Sequence, residues 1–213
     1  MATEPQLHWY GHDAFQISNG QITVYLDPWK LPAGAEPADF VCITHEHFDH
    51  CSVEDVEKVA ATTTAVIAPR VCANQPLPGK RTVLQPGERL EMKGVIIEAV
   101  PAYNIGKRFH PPADRRVGYI LAIDGWRIYH AGDTDLIPEM DHIHCDIALL
   151  PVSGTYVMTA DEAAQAAVRI KPKIAIPMHY GTIIGSVDDA KKFKSLVPAG
   201  IEVRVLPPVT SAA

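Results

Sequence analysis

The residues best equipped for chemistry lie in one seven-residue run, Thr44-His45-Glu46-His47-Phe48-Asp49-His50. Three of the ten histidines fall within six residues there, at 45, 47 and 50. Imidazoles and a carboxylate are borderline ligands, suited to Zn²⁺ and, as oxygen content rises, to Fe or Mn. His45 and His47 are two apart, so an extended backbone turns both side chains the same way. The bland alternative, surface histidines in a polar loop, does not explain four ligand-type residues in register. Two later segments have the form strand, turn, ligand. Residues 130–135 (HAGDTD) put Asp133 just past Gly132, and residues 177–181 (PMHYG) expose His179. Ligands at strand ends are what a rigid scaffold with functional loops provides.

Elements must hold these residues in place. The continuously apolar stretch 40–43 is predicted to be a short strand running into the histidine cluster. Ser52 then caps a helix whose stripe is Val53, Val56, Val59 and Ala60. Strands are predicted at 7–10, 14–18 and 22–26, with Asn19-Gly20 as a hairpin turn. Further strands are predicted at 65–68, 95–100 and 147–150, and a hairpin of 118–123 with 127–130 closes around Asp124-Gly125. Helices at 160–170 and 187–196 alternate with strands at 174–176 and 201–206. Strands first and αβ units at the end favour an α+β sandwich with outer helices. Eighteen prolines and fourteen glycines fit short elements joined by shaped loops. No boundary is visible, so residues 1–213 read as a single domain.

Composition removes several classes. The net charge is −6 with no Lys/Arg run, so nucleic-acid binding has no electrostatic footprint. Lys107, Arg108, Arg115 and Arg116 flank one loop, either facing an anionic substrate or simply solvated. Four scattered cysteines without a Cys-x-x-Cys pair, and an N-terminus unlike a signal peptide, point to reduced thiols in the cytoplasm. No apolar stretch approaches the roughly 20 residues of a membrane helix. Gly-x-Ser-x-Gly is missing, so acyl-enzyme chemistry on a serine is not expected.

His-x-His-x-Asp-His after a strand, the later Gly132-Asp133-Thr134 and the late His179-Tyr180-Gly181 resemble the metallo-β-lactamase-fold metal-dependent hydrolases over nearly the whole chain. Trp9-x-Gly11-His12, Leu26-Asp27-Pro28 and residues 148–152 (ALLPV) are similar to the compact branch related to ascorbate-6-phosphate lactonase-like proteins. The resemblance implies an αββα sandwich: two mixed sheets, helices on both outer faces and metals at one edge. It implies His45 and His47 on one metal, Asp49, His50 and His179 on a second, and Asp133 bridging. Two divalent ions are expected, zinc first, with Mn²⁺, Fe²⁺ and Ni²⁺ as alternatives. The third histidine of the first site falls at Asn104, whose amide oxygen is a weak ligand for zinc. His110, stiffened by Pro111 and Pro112, is expected to replace it or to reach in towards substrate.

The resemblance also implies a set of supporting roles. His12, Asn104 and Tyr180 are expected at the substrate, with His12 equally able to support a ligand and Tyr180 able to hydrogen-bond an oxyanion. Asp27 is expected to accept the free N–H of a ligating histidine. Asp49 is also the catalytic residue, orienting hydroxide and passing a proton to the leaving group. The implied activity is metal-dependent hydrolysis of a small molecule, anionic ones included: a lactone, cyclic amide or phosphoester. An iron-dependent redox protein of the same fold and a non-catalytic metal-binding protein are the alternatives. Neither nucleic acid nor a membrane is an expected partner, and self-association is common among relatives.

Overall fold

Asn19-Gly20 makes the turn its chemistry favours. Gly20 takes a φ of 85°, and the Asn19 carboxamide oxygen accepts from the backbone N–H groups of Gln21 and Ile22. The strands on either side, β2 (Ala14–Ser18) and β3 (Thr23–Leu26), therefore pair antiparallel. The structure is a computed structural model that describes residues 3–209. Its first sheet is ordered β1-β2-β3-β4-β5-β6, with β1 at Gln6–Gly11, β4 at Ala38–Cys42, β5 at Ala60–Ala68 and β6 at Lys80–Val83. Pairing is antiparallel up to β3 and parallel beyond it.

The second sheet contains β7 (Arg89–Met92), β8 (Val95–Pro101), β9 (Val117–Ile123), β10 (Trp126–His130), β11 (Ile147–Pro151), β12 (Ile174–Met178) and β13 (Glu202–Val203). These strands are ordered β13 to β7, antiparallel from β7 to β10 and parallel from β10 to β13. Phe15, Ile17, Phe40, Ile67, Ile97, Tyr119 and Leu121 belong to the main core. Helix α1 (Val53–Val59) covers the outside of the first sheet, its Val56 and Val59 clustering with Tyr25, Val41, Ile43 and Val66. Helices α2 (Ala160–Ile170) and α3 (Val187–Leu196) pack on β11 and β12 of the second. The architecture is thus two mixed sheets with helices on both outer faces, as expected.

β11 and β12 are buried at every position, which is why they read in the sequence as unbroken apolar runs. Two strands were not expected. β6 (KRTV) and β7 (RLEM) are edge strands, mostly exposed and rich in charge, a pattern that deters edge pairing and also hides strand periodicity. β13 is two residues long where six were predicted. No helix among the described residues is long and apolar enough to cross a membrane.

The loops leaving β4, β8, β10 and β12, together with the β1–β2 turn, carry the ligand-type residues to one edge of the sandwich. Close backbone approach sets the β9–β10 part of that edge. A Cβ on Gly118 would stand 2.6 Å and 2.7 Å from the carbonyl oxygens of His130 and Ala131. Gly132, at a φ of 63°, leaves room for the Val117 carbonyl 2.9 Å from where its Cβ would be. Gly118→Ala is therefore expected to lower stability by about 1–3 kcal/mol, read as a reduced midpoint in urea unfolding. An unchanged midpoint would show that this approach is not under steric constraint.

Candidate metal centre

Four histidines at this edge share one design. The ring nitrogen facing outward is bonded to the protein, which leaves the other nitrogen bare and aimed inward. His45 Nδ1 lies 3.0 Å from Thr44 Oγ1, and that hydroxyl in turn donates to Asp27 Oδ2 at 2.5 Å. His50 Nδ1 donates to the same Asp27 oxygen at 2.8 Å. His110 Nδ1 donates to Asn104 Oδ1 at 3.0 Å, and His179 Nδ1 to Ser153 Oγ at 2.8 Å. These tautomers follow from the hydrogen-bond network. Such outer bonds fix ring orientation and raise ligand basicity.

The inner nitrogens gather in two groups around Asp133. His45 Nε2 is 3.0 Å from His47 Nδ1, and His110 Nε2 is 3.4 Å from that same nitrogen. Ligands at about 2.1 Å in a tetrahedron stand roughly 3.4 Å apart, so the three imidazoles fit one cation. Asp133 turns Oδ2 to this group, 3.4 Å from His110 Nε2 and 3.9 Å from His45 Nε2. Its Oδ1 faces the other group, 3.3 Å from His179 Nε2 and 3.5 Å from His50 Nε2. Bare nitrogens at these separations repel one another unless a cation lies between them. The buried His12 Nδ1, His50 Nε2 and Asp133 Oδ1 lack any hydrogen-bond partner among the described residues, so the donor set fits divalent metal.

Charge is distributed accordingly. Burial, then the neighbouring His50, holds His45 well below the ordinary histidine range. Burial and the Arg116 charge lower His47, and burial brings His110 down to about 4. Neutral imidazole is the form that binds metal. His50 and His179 shift the other way. Burial opposes their protonation, but Asp133 outweighs it, raising His50 well above its usual value and His179 to about 8, so without a cation their inner nitrogens hold protons that a bound metal would displace. Asp133, although buried, is held well below the carboxylate range by His179 and His50.

Asp49 stands beside the second group. Its Oδ2 is 3.8 Å from His50 Nε2 and accepts a 3.0 Å hydrogen bond from His12 Nε2. Burial would raise Asp49, yet the His12 bond and the His50 charge lower it. His12, at a φ of 50°, also presents its backbone carbonyl to the His179 N–H at 3.0 Å. It thus both lines the pocket and supports a neighbour, the two roles left open for it.

Asn104 and Tyr180 are placed differently from the sequence expectation. Asn104 is buried behind His110, its amide nitrogen donating to the Tyr156 carbonyl and to Asp135, so it positions that imidazole and does not face the pocket. The Tyr180 ring packs 4.9 Å from Trp9 and lines a separate groove with Val187 and Leu206. Ser153, the support of His179, was not singled out from the sequence, since a lone serine after a strand carries no signal. Asp27 occupies the position expected of it.

The pocket over the centre has a volume of about 240 Å³. His12, His47, Asp49, His110, Asp133 and His179 line its floor, and Phe48, Phe109, Tyr156 and Ile183 line its walls. Phe48 is 69% exposed and Phe109 packs edge-on against Tyr156 at 4.7 Å, so the mouth is apolar. The nearby cations are engaged elsewhere. Arg116 pairs with Glu46 and donates to the Phe109 carbonyl at 2.6 Å. Lys107 pairs with Asp135 at 2.6 Å.

Two mixed sheets between helices, with strand-end histidines and aspartates gathered at one edge, are the metallo-β-lactamase fold. The chain matches the family model described as a Beta-lactamase superfamily domain over residues 6–179. A UPF0173 metal-dependent hydrolase of Thermococcus onnurineus is 34% identical, over 95% of this chain and 96% of its own length. A crystal structure from Parabacteroides distasonis is similar with a TM-score of 0.82 at 34% identity, covering 96% of each chain. Igni18, a metallo hydrolase from the archaeon Ignicoccus hospitalis, is similar with a TM-score of 0.76 at 26% identity, over 97% of this chain and 96% of that one. The chain belongs to the metallo-β-lactamase-fold superfamily and, within it, to the family of UPF0173 metal-dependent hydrolases.

The outer hydrogen bonds should be separable by mutation. Asn104→Ala is expected to weaken metal binding at the His45 group by about 10–100-fold, and Ser153→Ala to do the same at the His179 group. Calorimetric titration of metal-stripped protein would resolve the two. Wild-type affinity in both variants would show that these bonds do not tune the site.

Proposed function

We propose that this protein is a hydrolase whose centre holds two divalent metal ions, and that it acts on a small, uncharged substrate. The observation that carries this reading is the division of the two Asp133 oxygens between two groups of inward-facing imidazoles. His45, His47 and His110 would hold one ion, His50 and His179 the other, with Asp133 between them. Zinc is the first expectation for the three-imidazole group. Ions held there would lower the pKa of a water molecule towards neutrality and polarise the oxygen of the bond under attack.

The chain's own residues do the rest. Asp49 Oδ2 is the proton carrier, a lowered carboxylate at the pocket floor, and His12 Nε2 keeps it turned towards His50. Phe48, Phe109, Tyr156 and Ile183 line the walls, offering apolar contact and narrowing access for water. Arg116 and Lys107 are consumed by Glu46 and Asp135, so half of the basic cluster is not free to hold an anion. Of the candidate substrates this favours an uncharged lactone or cyclic amide over a phosphoester, and it argues against the phosphorylated substrate that a lactonase-like affinity would suggest. Four free thiols, three of them buried, support a reducing, cytoplasmic setting.

Asp49→Asn is expected to lose about 10²–10⁴-fold in turnover while keeping its circular dichroism spectrum. His179→Ala should likewise be folded and inactive. Substantial activity in either folded variant contradicts the mechanism. In a panel of neutral lactones, cyclic amides and phosphodiesters, a preference for the phosphodiesters would refute the substrate class but not the hydrolytic one.

A further inference from the structure

Asp13 follows His12 in the β1–β2 turn, and nothing above gives it work. Its side chain is fully buried, and neither carboxylate oxygen has a hydrogen-bond partner among the described residues. A buried carboxylate left unpaired is costly unless it takes up a proton or its charge is met. No neighbour among the described residues gives it a hydrogen bond. Its Oδ2 lies 3.8 Å from His50 Nδ1, but that N–H is already donated to Asp27 at 2.8 Å. Asp27 adds like charge. His130, another buried imidazole nearby, spends its Nε2 on the Asp13 backbone carbonyl at 2.9 Å. That bond pins the turn and so fixes where the carboxylate is carried.

What the carboxylate does share is a place. One Asp13 oxygen, one nitrogen each from His50 and His179, and one Asp133 oxygen all lie within 4.8 Å of one another, and all four residues are buried. Two of those residues carry partnerless buried atoms of their own, His50 Nε2 and Asp133 Oδ1.

We propose that Asp13 contributes a carboxylate oxygen to the cation held by His50, Asp133 and His179. This rests on the metal-centre reading above and adds a ligand to it. The two halves of the centre then differ in chemistry. The His45, His47 and His110 half is all imidazole beyond the shared Asp133, a set that suits zinc. The Asp13 half has two carboxylates and two imidazoles, and the added oxygen shifts preference towards Mn²⁺ or Fe²⁺. The centre is built to hold two different metals.

Crystals of the wild-type protein loaded with Mn²⁺ alone, with data collected for anomalous scattering, test this without a variant. The expected result is a manganese peak with an Asp13 oxygen at about 2.2 Å. A peak beside His50 and His179 that leaves both Asp13 oxygens beyond about 3 Å overturns the proposal. In solution, Mn²⁺ titration followed by electron paramagnetic resonance should show binding at least about tenfold weaker in Asp13→Ser than in wild type. Zn²⁺ binding at the His45 half should weaken less than Mn²⁺ binding in that variant, because Asp13 is not among the residues grouped there. Equal Mn²⁺ affinity in wild type and a folded Asp13→Ser also overturns it. No metal at either position removes the metal-centre reading and this proposal together. Manganese ligated by Asp13 in a protein that hydrolyses nothing sustains the ligand and removes only the hydrolase reading.

Discussion

The site depends on one buried carboxylate. Asp133 sits past Gly132 with its oxygens turned to opposite sides, each facing two imidazole nitrogens at 3.3–3.9 Å. That position is set by the backbone of β9 and β10, where glycines at 118 and 132 permit contacts no side chain would allow. Three other elements at this edge deliver histidines to Asp133. The loop after β4 brings His45 and His50, the loop after β8 brings His110, and the end of β12 brings His179. The parallel arrangement of β10, β11 and β12 is what places the exits of β10 and β12 at the same edge.

Around this core lies a layer of polar groups whose only evident task is orientation. Asp27 takes the backbone N–H and hydroxyl of Thr44 and the ring N–H of His50, tying the start of the histidine run to its end. Asn104 and Ser153 do the same for His110 and His179. Each bond removes the choice of tautomer as well as rotational freedom. The consequence is a cluster of inward lone pairs that is electrostatically unfavourable alone and favourable around cations, so metal binding and local stability are linked.

Much of this was legible in the sequence because it is local. The histidine run, Gly132-Asp133 and His179 announce themselves by strand, turn and ligand in order, and the alternation of apolar runs with Asn-Gly and Asp-Gly turns outlined most of the strands. His110 could be put forward because two prolines stiffen it, although a gap of six residues separates it from the position where a histidine was expected. The partnerships were not legible. His12 with Asp49 spans 37 residues, Ser153 with His179 spans 26, and neither pair has a spacing rule. Asn104 and Tyr180 were expected at the substrate by their place in the chain, but buried hydrogen bonds and aromatic packing turn each of them elsewhere. The edge strands β6 and β7 escaped because their charged, exposed residues erase the alternation by which strands are read.

The most direct test of the account is the metal content of each chain, measured by plasma mass spectrometry on the wild type, His110→Ala and His179→Ala. A carboxylate shared by two histidine groups predicts about two equivalents in the wild type and a fall towards one in each variant, the lost ion differing between them. One equivalent or less in the wild type, or two equivalents that neither substitution reduces, would contradict the division of Asp133 between two metals.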